Sequence, residues 1–257
     1  MHEKKLKYSD FVSMFFRSFF FQTAWNFKSL VSIGFSYAMI PVAKRLYTTK
    51  EEHSAFLKRH LGFFNSHPYF ASFALGAIAR LEEDSANDPS IKMEPIEKFK
   101  NALIGPLGAV GDQLFWGIIK PTSLVLGAAG IIMIRNLKVQ LLFLVLLLIL
   151  FNVPHIYVRF FGIIKGYQQG YQSYKQIKIE RYALLKNFFL ILGTTAIGAF
   201  IGFISIKNLH SDLTGLLVFA SSIGLAVYLR NKKLAVYSPI LLPLVLALMI
   251  GIMAVIV

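Results

Sequence analysis

A carboxylate, a carboxamide and an indole stand close together at Asp112, Gln113 and Trp116. Helical residues three or four apart share a face, so Asp112 or Gln113 lies beside Trp116. Planar hydrogen-bonding groups next to an aromatic surface suit a small polar ligand with one apolar face. The structural alternative is that Asp112 caps a helix and Trp116 anchors at a membrane interface. Asp112 is read here toward function and Trp116 toward structure. Asn65 and His67, just before Pro68, can line the same cavity or simply end a helix.

No other constellation supports catalysis. There is no Walker loop, no acid–base pair at a working spacing and no metal cluster. The adjacent Glu82, Glu83 and Asp84 cannot all converge on one ion from a helix; for Glu82 and Glu83, solvation or pairing with a base such as Arg80 is expected. Catalytic residues, metal and cofactor are therefore each expected to be none.

The elements that position these residues are membrane elements. The 257 residues are 56% hydrophobic and only 16% charged, against about a quarter charged in a soluble domain. The net charge of +14 does not point to nucleic acid, because the lysines fall between apolar blocks, as the positive-inside rule requires. Without cysteine there are no disulfides. The segment 105–121, GPLGAVGDQLFWGIIKP, carries four glycines, two prolines and an aspartate. It reads as two half-helices meeting at a tip built by Gly105, Pro106, Gly108, Gly111 and Gly117, an element suited to gating. A loop followed by a helix capped by Asp112 is the other reading. Pro68–Leu81 reads as a re-entrant segment ending at the carboxylates. Phe11–Phe21, with Arg17 inside it, reads as an amphipathic interfacial helix.

Leu30–Tyr47 reads as one helix, and Thr48–Arg59 as a helix start, with Thr49 as cap and Glu51 and Glu52 at the positive end of the dipole. Thr122–Ile134 and Val139–Val153 are apolar, the second closed by Pro154 and His155, with Asn152 and Arg159 at that helix end in an interhelical or headgroup role. Leu185–Ile206, Leu213–Leu229 and Leu234–Val257 are the clearest spans. Their flanking charges put Lys175, Lys178, Arg181 and Lys186, and Arg230, Lys232 and Lys233, on the cytoplasmic side, and Lys207–Asp212 outside. The expected fold is an all-α integral membrane protein with multiple transmembrane helices, re-entrant half-helix hairpins and an N-terminal amphipathic helix. It forms a single domain over 1–257: interfacial helices in 1–60, hairpins and core in 61–170, and three spans in 185–257.

Four phrases now stand in order: Phe21-Gln-Thr-Ala-Trp-Asn-Phe27, Lys58-Arg-His-Leu-Gly-Phe-Phe-Asn-Ser-His-Pro68, Gly105 to Gly117, and Phe151-Asn152 with Arg159-Phe-Phe-Gly162 and Gly166-Tyr167. Together they resemble the IID component of the mannose/fructose/sorbose family of the bacterial sugar phosphotransferase system. Across Lys5–Tyr171 order and spacing match; beyond it the hydrophobic pattern alone does. Lys207–Asp212 is shorter than the corresponding family loop, and Gln113 and Pro154-His155 depart from the family's usual residues.

The resemblance implies a multi-pass subunit of the bacterial plasma (inner) membrane that forms a translocator with a IIC subunit. A hexose or amino sugar is then imported and phosphorylated by cytoplasmic IIB, itself recharged by IIA. The phosphoryl carriers lie on those partners, so none of this chain's histidines is nominated. Lys98 and Lys100 are expected to face IIB, and a higher oligomer of IIC–IID pairs is expected in the bilayer. The alternative is a scaffold that stabilises IIC and docks IIB without touching sugar.

Overall fold

A computed structural model describes residues 4–208, and the expected spans Leu213–Leu229 and Leu234–Val257 lie outside them. No strand forms among the described residues, only isolated bridges joining Asn26 to Leu30 and Leu30 to Phe64. The chain is otherwise helical. Residues up to Ala196 form one compact unit; from Ile197 a second unit begins.

Local chemistry sets the first elements. Helix α1 (Tyr8–Ser18) opens with Asp10 accepting the Lys7 backbone N–H at 2.8 Å. It buries Asp10, Phe11, Met14 and Ser18 on one side and leaves Tyr8 and Phe16 exposed. The helix expected over Leu30–Tyr47 is instead two, α2 (Ser32–Ala38) and α3 (Ile40–Leu46). Pro41 has no N–H to give the Tyr37 carbonyl, and its ring disfavours continuing the turn. Helix α4 (Lys50–Arg59) starts as expected: Thr49 Oγ1 accepts from the Glu52 N–H at 3.2 Å, and the Glu52 carboxylate accepts from the Thr49 N–H at 3.0 Å.

Three other expectations are corrected. Helix α5 (Ala71–Asn87) does not end at the carboxylates but runs through them, with Ala71–Ala79 wholly buried. The half-helix tip is absent. Helix α6 (Met93–Gly111), a π-helical segment (Asp112–Ile119) and α7 (Lys120–Met133) form one continuous run of 41 residues. Gly105 and Pro106 face outward, so the Ala102 carbonyl that Pro106 cannot serve lies on an exposed side. Helix α8 (Leu137–Gln169) likewise passes straight through Pro154.

At about 1.5 Å per residue the 41-residue run is roughly 60 Å long, enough to cross a ~30 Å hydrocarbon core with length to spare. The run from Leu137 to Lys175 is also long and apolar enough. On α8, Leu141, Leu142, Leu144, Val145, Leu148 and Ile149 are all exposed, as lipid contact requires. Helix α9 (Ala183–Asn208) follows two 3₁₀ turns, Gly170–Gln176 and Ile179–Tyr182. Its Phe189 carbonyl accepts from Thr122 Oγ1 of α7 at 3.0 Å.

The centre of the first unit is the crossing of α5 and α8. A Cβ at Gly76 would meet the Ile163 carbonyl, and one at Gly166 the Phe73 carbonyl, so the two backbones touch. Lipid tails are as apolar as leucine, so close packing, rather than removal from water, holds such helices together. Ser72 Oγ seals the crossing with bonds to the Tyr69 and Val158 carbonyls at 2.7 and 3.2 Å.

Buried charge ties the earlier helices to α5. Arg59 grips Glu82 through two bonds, Nε–Oε1 at 2.9 Å and Nη2–Oε2 at 2.6 Å, and also donates to the Tyr47 hydroxyl at 3.1 Å. His60 Nε2 lies 3.1 Å from Glu82 Oε1. Glu83 accepts from the Leu6 N–H at 2.5 Å and from the Tyr167 hydroxyl at 2.6 Å. Of the two expectations for Glu82 and Glu83, solvation is wrong, since both are buried; pairing with a base holds for Glu82, through Arg59 rather than Arg80, which pairs with Asp84 at 2.9 Å. Lys100 does not face a partner either: it is buried, donates to the His60 carbonyl at 3.1 Å and sits 4.8 Å over the Phe35 ring. Lys98 is exposed and pairs with Glu94.

Burial opposes ionisation of Glu82, yet Arg59 and His60 hold its carboxyl below the ordinary 4.5. Burial holds the His60 imidazole below its ordinary 6.5. In both cases the folded chain binds fewer protons than the unfolded one. Stability is thus full above pH 6.5 and falls as pH drops, first through His60 and, below 4.5, through Glu82.

Two outcomes follow for the unfolding midpoint of the detergent-solubilised chain. Gly76→Ala costs about 1–3 kcal/mol by overpacking, whereas Gly105→Ala, which meets nothing within 4 Å, leaves the midpoint unchanged. Glu82→Gln costs about 3–5 kcal/mol at neutral pH, because Arg59 is left without its charge partner, and it flattens the pH dependence below 4.5. A Glu82→Gln variant as stable as the parent would contradict the buried-pair account.

Candidate functional site

The π segment divides its residues between two faces. Leu114, Phe115, Ile118 and Ile119 are buried; Asp112, Gln113, Trp116 and Gly117 are exposed. Widening the helix to an i→i+5 ladder accommodates one extra residue and shifts the faces that follow; such segments recur at functional sites. The glycine at its start has a steric reason. A Cβ on Gly111 would overlap the His67 ring, which lies directly beneath it. Lys120, one turn beyond Trp116, places its ammonium 4.8 Å over the indole. Asp112 and Lys120 are the two charges between Asn101 and Ile134.

Of the five residues expected to bind a ligand, the structure brings two into contact. His67 lies 5.0 Å from the Trp116 ring and stacks on Phe115 at 5.3 Å and 21°. His67 is buried, and its Nδ1 accepts from the Tyr69 N–H at 3.3 Å, which puts its proton on Nε2. That nitrogen is buried without a protein partner among the described residues. Asp112 and Gln113 are on the outer face of the run, and Asn65 is exposed on the loop before α5, with no hydrogen bond to the other four. Among the described residues no three His, Asp or Glu side chains gather for a metal ion.

Tyr69, a neighbour of His67, and two residues packed on Tyr69 in turn are new to the site. Tyr69 lies 4.8 Å from its ring and stacks on His155 at 4.6 Å and 22°. His155 Nε2 is 2.9 Å from Asn152 Oδ1. Arg159, buried in the middle of α8, sits 4.8 Å over both Tyr69 and Phe19. Its Nη1 donates to the Ser18 carbonyl at 2.5 Å and to Ser18 Oγ at 3.2 Å, tying α8 to α1. The role is interhelical, not headgroup binding. A lone arginine in the apolar string around Tyr157 and Phe160 was the one signal in the sequence; Tyr69 had none.

The fold links the recognised phrases. Asn26 folds the first phrase into a turn by accepting from the Lys28 and Ser29 N–H groups at 3.0 and 2.9 Å. The Phe64 carbonyl of the second phrase accepts from the Val31 N–H at 3.1 Å. His67 of the second underlies Gly111 of the third, and Gly162 and Gly166 of the fourth lie on α5.

Comparison with known proteins shows the family. A family model for the PTS system mannose/fructose/sorbose family IID component matches residues 5–256. The PTS system mannose-specific EIID component of Escherichia coli (strain K12) is 38% identical over 200 residues, 77% of this chain and 69% of that protein. The fructose permease IID component of Bacillus subtilis (strain 168) is 34% identical over 199 residues, 77% and 70% of the two chains. A chain in the cryo-EM structure of mannose transporter ManYZ with microcin E492 (MceA) superposes with a TM-score of 0.60 and 30% identity, over 98% of this chain and 96% of that one. A chain from a structure described only as a membrane protein gives 0.68 and 31%, over 97% and 96%. This chain, helical and with two runs able to cross a bilayer among its described residues, is a bacterial membrane protein and belongs to the mannose/fructose/sorbose family of PTS IID components.

Proposed function

We propose that this chain is one half of a sugar translocator, assembled with a IIC membrane subunit in the bacterial inner membrane. It imports a hexose or amino sugar that cytoplasmic IIB phosphorylates as it enters, IIA recharging IIB. Phosphoryl transfer belongs to those cytoplasmic partners, and this chain shapes the passage. IIC–IID pairs gather into a higher oligomer, and the chain crosses the bilayer several times, with its three terminal spans in 185–257. The whole of 1–257 acts as one membrane domain, with α1 at the interface as an amphipathic helix.

The exposed stripe on the 41-residue run carries this reading. Gly105, Ala109, Asp112, Gln113, Trp116 and Lys120 follow one another at helical spacing on the outer side. Small residues allow another helix to approach closely. A carboxylate facing hydrocarbon costs about 2.5–3.5 kcal/mol on insertion scales, so Asp112 faces a partner or water rather than lipid. The stripe thus has the composition of a subunit contact beside a polar passage. Sugar is held there by Asp112 and Gln113 against the Trp116 face. His67, with Tyr69 and Phe115 around it, backs the indole, and Asn65 borders the passage from the α5 loop. Gly105, Pro106, Gly108 and Gly111 lead into the π segment and Gly117 lies within it, so the run flexes there as the passage opens.

Two measurements test this. In Asp112→Ala that still copurifies with IIC, sugar uptake falls roughly tenfold or more, matching the loss of one charged hydrogen bond of about 1.5–3 kcal/mol. Uptake and affinity equal to the parent's would remove Asp112 from the mechanism. A photoreactive sugar is expected to label both subunits of the assembled complex; label on IIC alone would leave this chain a scaffold.

A further inference from the structure

A second polar cavity lies away from the stripe. Helices α1 and α3 enclose about 350 Å³ between one face of each. Ser9, Ser13 and Arg17 come from α1 at i, i+4 and i+8, and Lys44 and Arg45 from the last turn of α3. Asp10 is the carboxylate in the wall, and it is committed. It takes two bonds from Arg45, at 2.8 and 3.1 Å, besides closing the start of α1. Arg17 and Lys44 have no acidic partner among the described residues. Three cations and one carboxylate therefore leave two positive charges unmatched around a space that two serine hydroxyls also reach. Arg17 is held in place: its guanidinium lies 4.4 Å over the Tyr37 ring, and its Nε donates to Ser13 Oγ at 3.4 Å.

An apolar surface adjoins this charge. Tyr37 contacts Phe20 at 5.9 Å, Phe16 precedes Arg17, and all three rings are exposed. Paired cations and hydroxyls beside bare aromatic rings suit a molecule with an anionic phosphate at one end and hydrocarbon at the other. We propose that the α1–α3 cleft binds the phosphate of an anionic phospholipid. Arg17 and Lys44 flank the phosphate oxygens, Ser9 and Ser13 donate hydroxyl bonds, and the acyl chains lie over Phe16, Phe20 and Tyr37. A free phosphate shares the polar contacts but makes no use of the rings. The site rests on the interfacial placement of α1 proposed above.

The test uses the full chain copurified with its IIC partner, titrated with phosphatidylglycerol and phosphatidylcholine and read by native mass spectrometry. The parent is expected to prefer phosphatidylglycerol by roughly tenfold, and the double variant R17Q/K44Q to lose that preference. The charge-matched control K50Q/K98Q, altered at exposed lysines outside the cleft, is expected to keep it. Equal retention, or equal loss, in the two double variants would overturn the proposal. Complete displacement of phosphatidylglycerol by inorganic phosphate at matched concentration would overturn the lipid assignment in favour of a free-anion site. Placement of α1 is read separately, on this chain alone. With Trp25 and Trp116 both replaced by phenylalanine, Phe16→Trp puts its one tryptophan on α1, and quenching by brominated-acyl lipids locates it at the interface. Absence of quenching would contradict the interfacial placement and, with it, the acyl contacts of the site, whatever the headgroup preference.

Discussion

Backbone contact between α5 and α8 is the constraint on which the other packing depends. Gly76 and Gly166 bring the two helices to a separation that no side chain permits. In lipid, where apolar surface alone gives helices little reason to associate, such contact supplies the dispersion and polar bonds that do. Once α8 is seated, Tyr167 reaches Glu83, and Arg159 reaches the end of α1 at Ser18. His155 falls against Tyr69 and so against the His67 cluster beneath the π segment. The candidate site is thus positioned from below by a glycine crossing several turns away.

Cations in the first unit, the buried Lys100 and Arg159 and the partly exposed Arg59, are satisfied in two different ways. Arg59 has a carboxylate, a two-bond pairing whose attraction offsets burial of both ions. Lys100 and Arg159 have none; each combines a backbone carbonyl with the faces of aromatic rings. A carbonyl dipole and a ring quadrupole together replace part of the hydration shell without bringing in a second charge to be desolvated. Ionised groups spent on architecture therefore lie inside, whereas Asp112 and Lys120 remain on the outer face, without an ion-pair partner among the described residues.

Local signals were legible in the sequence and distant ones were not. Thr49 and Glu52 announce the start of α4 because both partners of the cap lie within four residues. Proline misleads in both directions: Leu30–Tyr47 reads as one helix across Pro41, and Pro106 and Pro154 read as breaks. Pro41 separates two short helices of seven residues each. Pro106 and Pro154 lie inside runs of 41 and 39 residues. There, tertiary packing on both sides outweighs one lost hydrogen bond. Partners of Glu82 could not be read, since Arg59 is 23 residues away and proximity depends on how α4 docks on α5. The likeness of four phrases to one family located the third and second phrases as candidates. It did not reveal that His67 lies beneath Gly111, because that contact is made across the fold.

The central claim is that the outer face of the π segment borders a polar passage shared with another subunit. The chain has no cysteine, so Gln113→Cys introduces one thiol into it at that face. In the assembled complex its reaction with a small, charged, membrane-impermeant reagent reports directly on what covers the position. Reaction that is measurable without sugar and suppressed by a transported sugar is the result expected. Labelling solely by lipid-soluble reagents, unchanged by sugar and by the presence of IIC, would place this face in hydrocarbon and contradict the account.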